Sequence, residues 1–125
     1  MQDDLNMWES WRLGLKNKVL AMQDADFEAI ALDMFRFTST YNPLYRQYID
    51  LMQVDIQAVK TISDIPFLPI ELFKNHRVLS GNAPVLFDFE SSGTTGQIPS
   101  KHPVCDPAFY QKQSKRIFEK HYGAL

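Results

Sequence analysis

An α+β fold that is predominantly helical is what this sequence predicts, on three observations. Apolar residues recur at helical spacing from Trp8 to Met52, and a short run of strand-favouring types, Pro84–Phe89, comes later. The dipeptides Asn42-Pro43 and Asp106-Pro107 mark helix starts, each a capping side chain before a proline whose missing N–H costs nothing in the first turn. At 125 residues, with 45% apolar and 22% charged side chains, the chain suffices for one domain with a core. Wholesale disorder, collagen-like repeats and coiled coil are excluded.

The first helix is expected from about Met7 to Met22, with Asn6 as N-cap, Glu9 three residues on, and Trp8, Trp11, Leu15 and Val19 along one face. Asp24 and Asp26 offer caps for a second helix, whose buried face is expected to be Phe27, Ile30, Ala31, Met34 and Phe35. A third helix opens at Pro43 and buries Tyr45, Tyr48, Ile49 and Met52; Asp55 then caps a short turn. The two prolines of Ile65-Pro66-Phe67-Leu68-Pro69-Ile70 forbid a regular helix or a central strand, and Pro69 is expected to open a one- or two-turn helix through Phe73. Val78-Leu79, the Gly81-Asn82 turn signal and Pro84–Phe89 predict a strand or hairpin. A polar segment containing Pro99 and Pro103 leads to a last helix that runs to about Tyr122 and stops at Gly123. The expected organisation is one subdomain: 1–74 mainly helical, 75–105 strands and a loop, 106–123 helix.

Thirteen basic against fifteen acidic residues, a formal charge of −2, argue against a nucleic-acid binder held by bulk electrostatics. Gln97–Leu125 is nevertheless locally basic; Lys112, Lys115, Arg116 and Lys120 read as one solvated helix surface. A single cysteine, Cys105, excludes an internal disulfide framework and a multi-cysteine zinc site, and it reads as a passive thiol. Met1-Gln2-Asp3-Asp4 is acidic where a secretory signal needs positive charge, and no run approaches the roughly 20 apolar residues of a membrane span. A cytoplasmic protein is expected.

The chemistry-bearing segment is Ser91-Ser92-Gly93-Thr94-Thr95-Gly96. Glycines permit the positive φ angles that turn successive amides toward one point, and the hydroxyls add donors, so such a loop can cradle phosphate oxygens with Lys101 as charge partner. No Gly-Lys-Ser/Thr closes it, which excludes the common nucleotide-triphosphatase loop, and it is no dinucleotide fingerprint. A Ser/Thr/Gly hexamer is also a common flexible connector, so a small helical interaction module without catalysis stands as the alternative.

These residues resemble the phosphate-binding signature of the AMP-forming adenylating enzymes, with extra residues between Gly96 and Lys101. The segment Ile65–Lys74, the loop, and Ser100-Lys101-His102 are similar to the amino-terminal part of the LuxE-type acyl-protein synthetase and acyltransferase family, kin to phenylacetate-CoA ligases. Asn42-Pro43-Leu44-Tyr45 resembles its helical entry region, so the likeness runs from about Phe27 to Tyr122. It implies ATP with Mg²⁺ as cofactors, a carboxylic acid substrate, an acyl-adenylate, and transfer to a thiol or other acceptor. Ser91, Ser92, Gly93, Thr94, Thr95 and Gly96 would hold the β- and γ-phosphates, and Lys101 would add a positive charge. The resemblance also implies membership of a larger α/β adenylating domain. Because adenine- and ribose-binding motifs are absent, the chain is expected to be an amino-terminal piece, inactive alone, whose partner is the remainder of the parent enzyme and whose exposed edges favour self-association.

Other side chains read blandly. His102 is expected at the surface or closing a loop, with a ligand contact as the minority alternative, and His76 and His121 to be solvated. Asp88 and Glu90 occupy alternate strand positions; Glu90 is a weak candidate for a metal role, and no metal site is assigned.

Overall fold

The computed structural model describes residues 2–91 and 98–123, omitting the side chains of residues 2–5. It is mostly helical, with one two-stranded antiparallel sheet and a carboxyl-terminal helix, as the spacing predicts. Helix α1 spans Gln2–Leu20, starting well before the expected Met7, so Asn6 is an interior residue and not its cap. A cap-forming side chain starts a helix only where the preceding residues leave helical geometry. Here residues 2–5 remain helical, so the helix passes through Asn6. Trp8 and Leu15 are buried as expected.

After a 3₁₀ turn at Asp24–Asp26 comes α2, Phe27–Tyr41, the central helix. It serves two separate clusters. Phe35 packs with Tyr45, Ile49 and Val59, whereas Phe37 packs with Trp8 and Leu15. Placing Phe27 and Met34 in the core is corrected: they are 53% and 39% exposed and line an open apolar groove with Ile62, Ile65 and Phe67. Helical periodicity identifies a face but not how far its neighbours extend along it.

Helix α3, Pro43–Leu51, begins as expected: Asn42 Oδ1 accepts a hydrogen bond from the Tyr45 amide at 3.1 Å. Tyr45 and Ile49 are buried, but Met52 lies past the helix end and is 59% exposed, correcting the predicted stripe. The helix closes with the Val54 amide donating to Ile49 O and the Gln53 amide to Asp50 O, while Gln53 adopts φ 58°. This is the pairing of a Schellman stop, built on glutamine where glycine is usual. Asp55 then caps a 3₁₀ turn, Ile56–Ala58, by accepting from the Gln57 amide.

The proline-rich segment is tied down by Tyr45, whose hydroxyl donates to Pro66 O at 2.6 Å. Burial, with a contribution from Tyr48, pushes that phenol up to about 12, so it remains a donor at neutral pH. The short helix expected at Pro69–Phe73 is instead α4, Leu72–Asn75, entered by a turn in which the Leu72 amide donates to Pro69 O.

Val78-Leu79 forms no strand. Gly81, at φ 75°, donates its amide to Tyr41 O, and a side chain there would collide with the Trp8 indole, an ideal Cβ lying 2.1 Å from it. The turn signal therefore docks the chain on α1 and α2 instead of closing a hairpin. The hairpin forms later, between β1, Phe87–Glu90, and β2, Lys101–Val104, so the loop-bearing region lies between its strands. Helix α5, Pro107–Tyr122, has Asp106 accepting from the Phe109 amide at its start and Gly123 at its end, both as expected.

Candidate functional site

The site is built on the hairpin. Its register pairs Phe87 with Val104, Asp88 with Pro103, Phe89 with His102, and Glu90 with Lys101. Directly opposed residues share a face, so Asp88, Glu90, Lys101 and Pro103 lie on one side. Past the last pair, the Ser91 amide donates to Ser100 O at 3.0 Å and the Ser100 amide donates to Ser91 Oγ at 2.9 Å. Ser100 is 4% exposed, so this polar clasp is sheltered. By the alternation of an antiparallel ladder, Pro103 falls at a non-hydrogen-bonded position, where its missing N–H costs the pairing nothing. Proline there disguises β2 in the sequence.

Of the expected phosphate-binding residues, Ser92, Gly93, Thr94, Thr95 and Gly96 lie outside the described residues. Ser91 precedes them: its amide is spent on Ser100, leaving its hydroxyl proton as the donor with which it could reach an anion. Lys101 opens β2 and is exposed. It lines a cavity of about 200 Å³ with Phe73, Lys74, Arg77, Asp88 and Pro103. The cations Lys74 and Arg77 were not joined to Lys101 by sequence reasoning. They are separated from it by more than twenty residues and share its cavity where α4 packs against β2; Phe73 lines that cavity, and its ring also lies 4.5 Å from that of His102.

Across the hairpin's other face, Phe89 meets Phe87 at 5.1 Å and Tyr110 of α5 at 4.9 Å, which seats the hairpin on that helix. Two basic residues of α5, Arg116 and Lys120, are occupied structurally. Arg116 donates to the carbonyls of Val19 and Met22, at and just beyond the end of α1. Lys120 pairs with Asp24 at 2.8 Å, its hydrogen bond holding that carboxyl below the usual range. Lys16 reaches Asp106 at 2.6 Å and, with the Phe109 amide, holds the Asp106 carboxyl low as well. The Cys105 thiol turns to Ala83 O at 3.8 Å; His76 and His121 are exposed.

Among the described residues no cluster of three or more His, Cys, Asp or Glu side chains could hold a metal, and no helix is long and apolar enough to cross a membrane. In comparison with known families, the model of acyl-protein synthetase, LuxE, matches residues 17–104. The match starts earlier than the expected Phe27 and ends with β2, so α5 lies outside it. No curated protein and no solved structure matches the chain.

Proposed function

Since the chain belongs to the acyl-protein synthetase LuxE family, we propose that it supplies the amino-terminal, phosphate-gripping part of an ATP-dependent acyl-activating enzyme. In that reaction a carboxylate oxygen attacks the α-phosphorus of ATP, the bond to the bridging oxygen of the β-phosphate breaks, and acyl-adenylate and pyrophosphate form. The acyl group then passes to a thiol or another acceptor and AMP leaves. Negative charge gathers on the departing pyrophosphate, and aligned amides, hydroxyls and a lysine are what stabilise it. Magnesium enters as companion of the phosphates, in keeping with an ion that usually takes one or two carboxylates and substrate oxygens instead of a protein cage.

One observation carries the reading. The Ser/Thr/Gly run lies between β1 and β2, with Ser91 and Ser100 clasped at its base and Lys101 directly beyond. The adenine- and ribose-binding parts are assigned to other sequence, which is also the partner proposed for exposed Phe27, Phe67 and Leu86. Without that partner, these side chains would drive self-association, and a monomer at every concentration in sedimentation would sink that part.

Calorimetric titration of ATP with magnesium into the 125-residue chain tests the grip. Replacing Thr94 and Thr95 together by valine removes two hydroxyl donors to a charged group, which should weaken binding by at least about tenfold. Equal affinity in the variant overturns the reading, and ATP–pyrophosphate exchange by the chain alone overturns its assignment as a part.

A further inference from the structure

We infer that Lys74 and Arg77 complete, with Lys101, a seat beside the hairpin for the diphosphate end of the nucleotide, the group released as pyrophosphate. The inference rests on the phosphate reading above but uses none of the loop's residues.

Helix α4 is short and packs against β2, the Phe73 ring lying 4.5 Å from that of His102. Phe73, Lys74 of α4 and Arg77, just after it, line the cavity that Lys101 and Asp88 complete. At about 200 Å³ the cavity is smaller than the roughly 300–1,000 Å³ typical of drug-sized ligands, so it suits a small anion and not a whole nucleotide.

Three cations face one carboxylate there. Arg77 approaches Asp88 only to 3.9 Å, and Asp88 Oδ1, though buried, accepts no hydrogen bond. Among the described residues neither Lys74 nor Lys101 has a carboxylate within 4.0 Å, and Glu90, opposite Lys101 in the register, forms no ion pair with it. Among the described residues none of the side-chain donors of Lys74, Arg77 and Lys101 makes a hydrogen bond, and a guanidinium fork beside two ammonium groups matches the oxygens of a diphosphate. Asp88 holds Arg77 toward the cavity by charge alone and opposes any anion entering it.

That opposition gives the test a sign. Magnesium-free inorganic pyrophosphate is titrated calorimetrically into the full chain at low ionic strength, with circular dichroism confirming the fold of each variant. Lys74→Gln and Arg77→Gln should each weaken binding by about three- to tenfold, the effect shrinking with salt. Asp88→Asn should strengthen it, a change that loss of structure would not produce. Unchanged affinity in both cation variants, with binding lost in the Thr94/Thr95 variant, overturns the seat and leaves the loop reading intact. Loss in the cation variants only supports the seat and overturns the loop reading. No binding by the unaltered chain overturns both. Titration with ATP separates the sources: parallel losses support a seat for the nucleotide's tail, and an untouched ATP affinity overturns that assignment.

Discussion

The stretch from Trp8 to Val59 contains every buried hydrophobic side chain among the described residues, whereas beyond it only Ser100 is buried. The first region is held by burial in two clusters that share α2. The second is a four-pair hairpin held by a serine clasp, a few aromatic contacts and neighbouring α4 and α5. A two-stranded sheet is marginal alone in water. The difference teaches that the scaffold and the proposed phosphate chemistry have separate foundations, so a change that damages one can leave the other measurable.

The sharpest way to break this comparison is to truncate one side chain in each region. Ile49 is fully buried between Phe35, Tyr45 and Val59, so Ile49→Ala should cost about 2–5 kcal/mol, the transfer of the lost methylenes plus the cavity they leave. Phe89 is 40% exposed and touches Phe87 and Tyr110, so Phe89→Ala should cost clearly less, about 1 kcal/mol. Urea denaturation of both variants checks the pair. Equal losses would mean that the hairpin belongs to one cooperative core with the helices.

The same contrast separates what was legible in the sequence. Spacing and capping are local, so Asn42-Pro43, Asp106-Pro107, Gly123 and the Trp8/Leu15 face read correctly from the residues themselves. Non-local pairing was not legible. β2 hides behind Pro103, which is harmless only because of its register opposite Asp88, and Gly81 is required by the Trp8 ring and not by a hairpin turn. The loop and Lys101 stood out by composition and spacing. Lys74 and Arg77 did not, because only the packing of α4 against β2 brings them to Lys101.

A second test concerns the joint between the regions. Asp106 caps α5 and also reaches back to Lys16 of α1, tying the carboxyl-terminal helix to the scaffold. The Lys16 hydrogen bond first, and the Phe109 amide second, hold its carboxyl below the usual value. A carboxyl lowered in the folded state contributes stability that is present above its unfolded value, about 3.9, and is lost as pH falls through that value toward the folded one. Asp106→Asn keeps a good cap but removes the charge, so stability should fall less between about pH 5 and pH 2 than in the unaltered chain. Parallel acid limbs in chemical denaturation would show that this joint carries no pH dependence.

The smallest effect sharpens the comparison from the scaffold side. Of the described residues with positive φ, Gly81 and Gly123 are glycines, but Gln53, which ends α3 beneath the first cluster, is not. An L side chain in the left-handed region pays for a close approach between its Cβ and backbone oxygen that glycine avoids. The neighbouring amides of Gln53 and Val54 already make the closing hydrogen bonds, so Gln53→Gly removes strain without removing a contact the helix end needs. The substitution also makes the unfolded chain more flexible, which offsets part of the gain. The net expectation is a stabilisation of up to about 1 kcal/mol, read as a higher urea midpoint at unchanged slope. Because the strain sits in the helical region, pyrophosphate affinity should not move; if it does, the scaffold and the hairpin are coupled more tightly than their separate foundations imply.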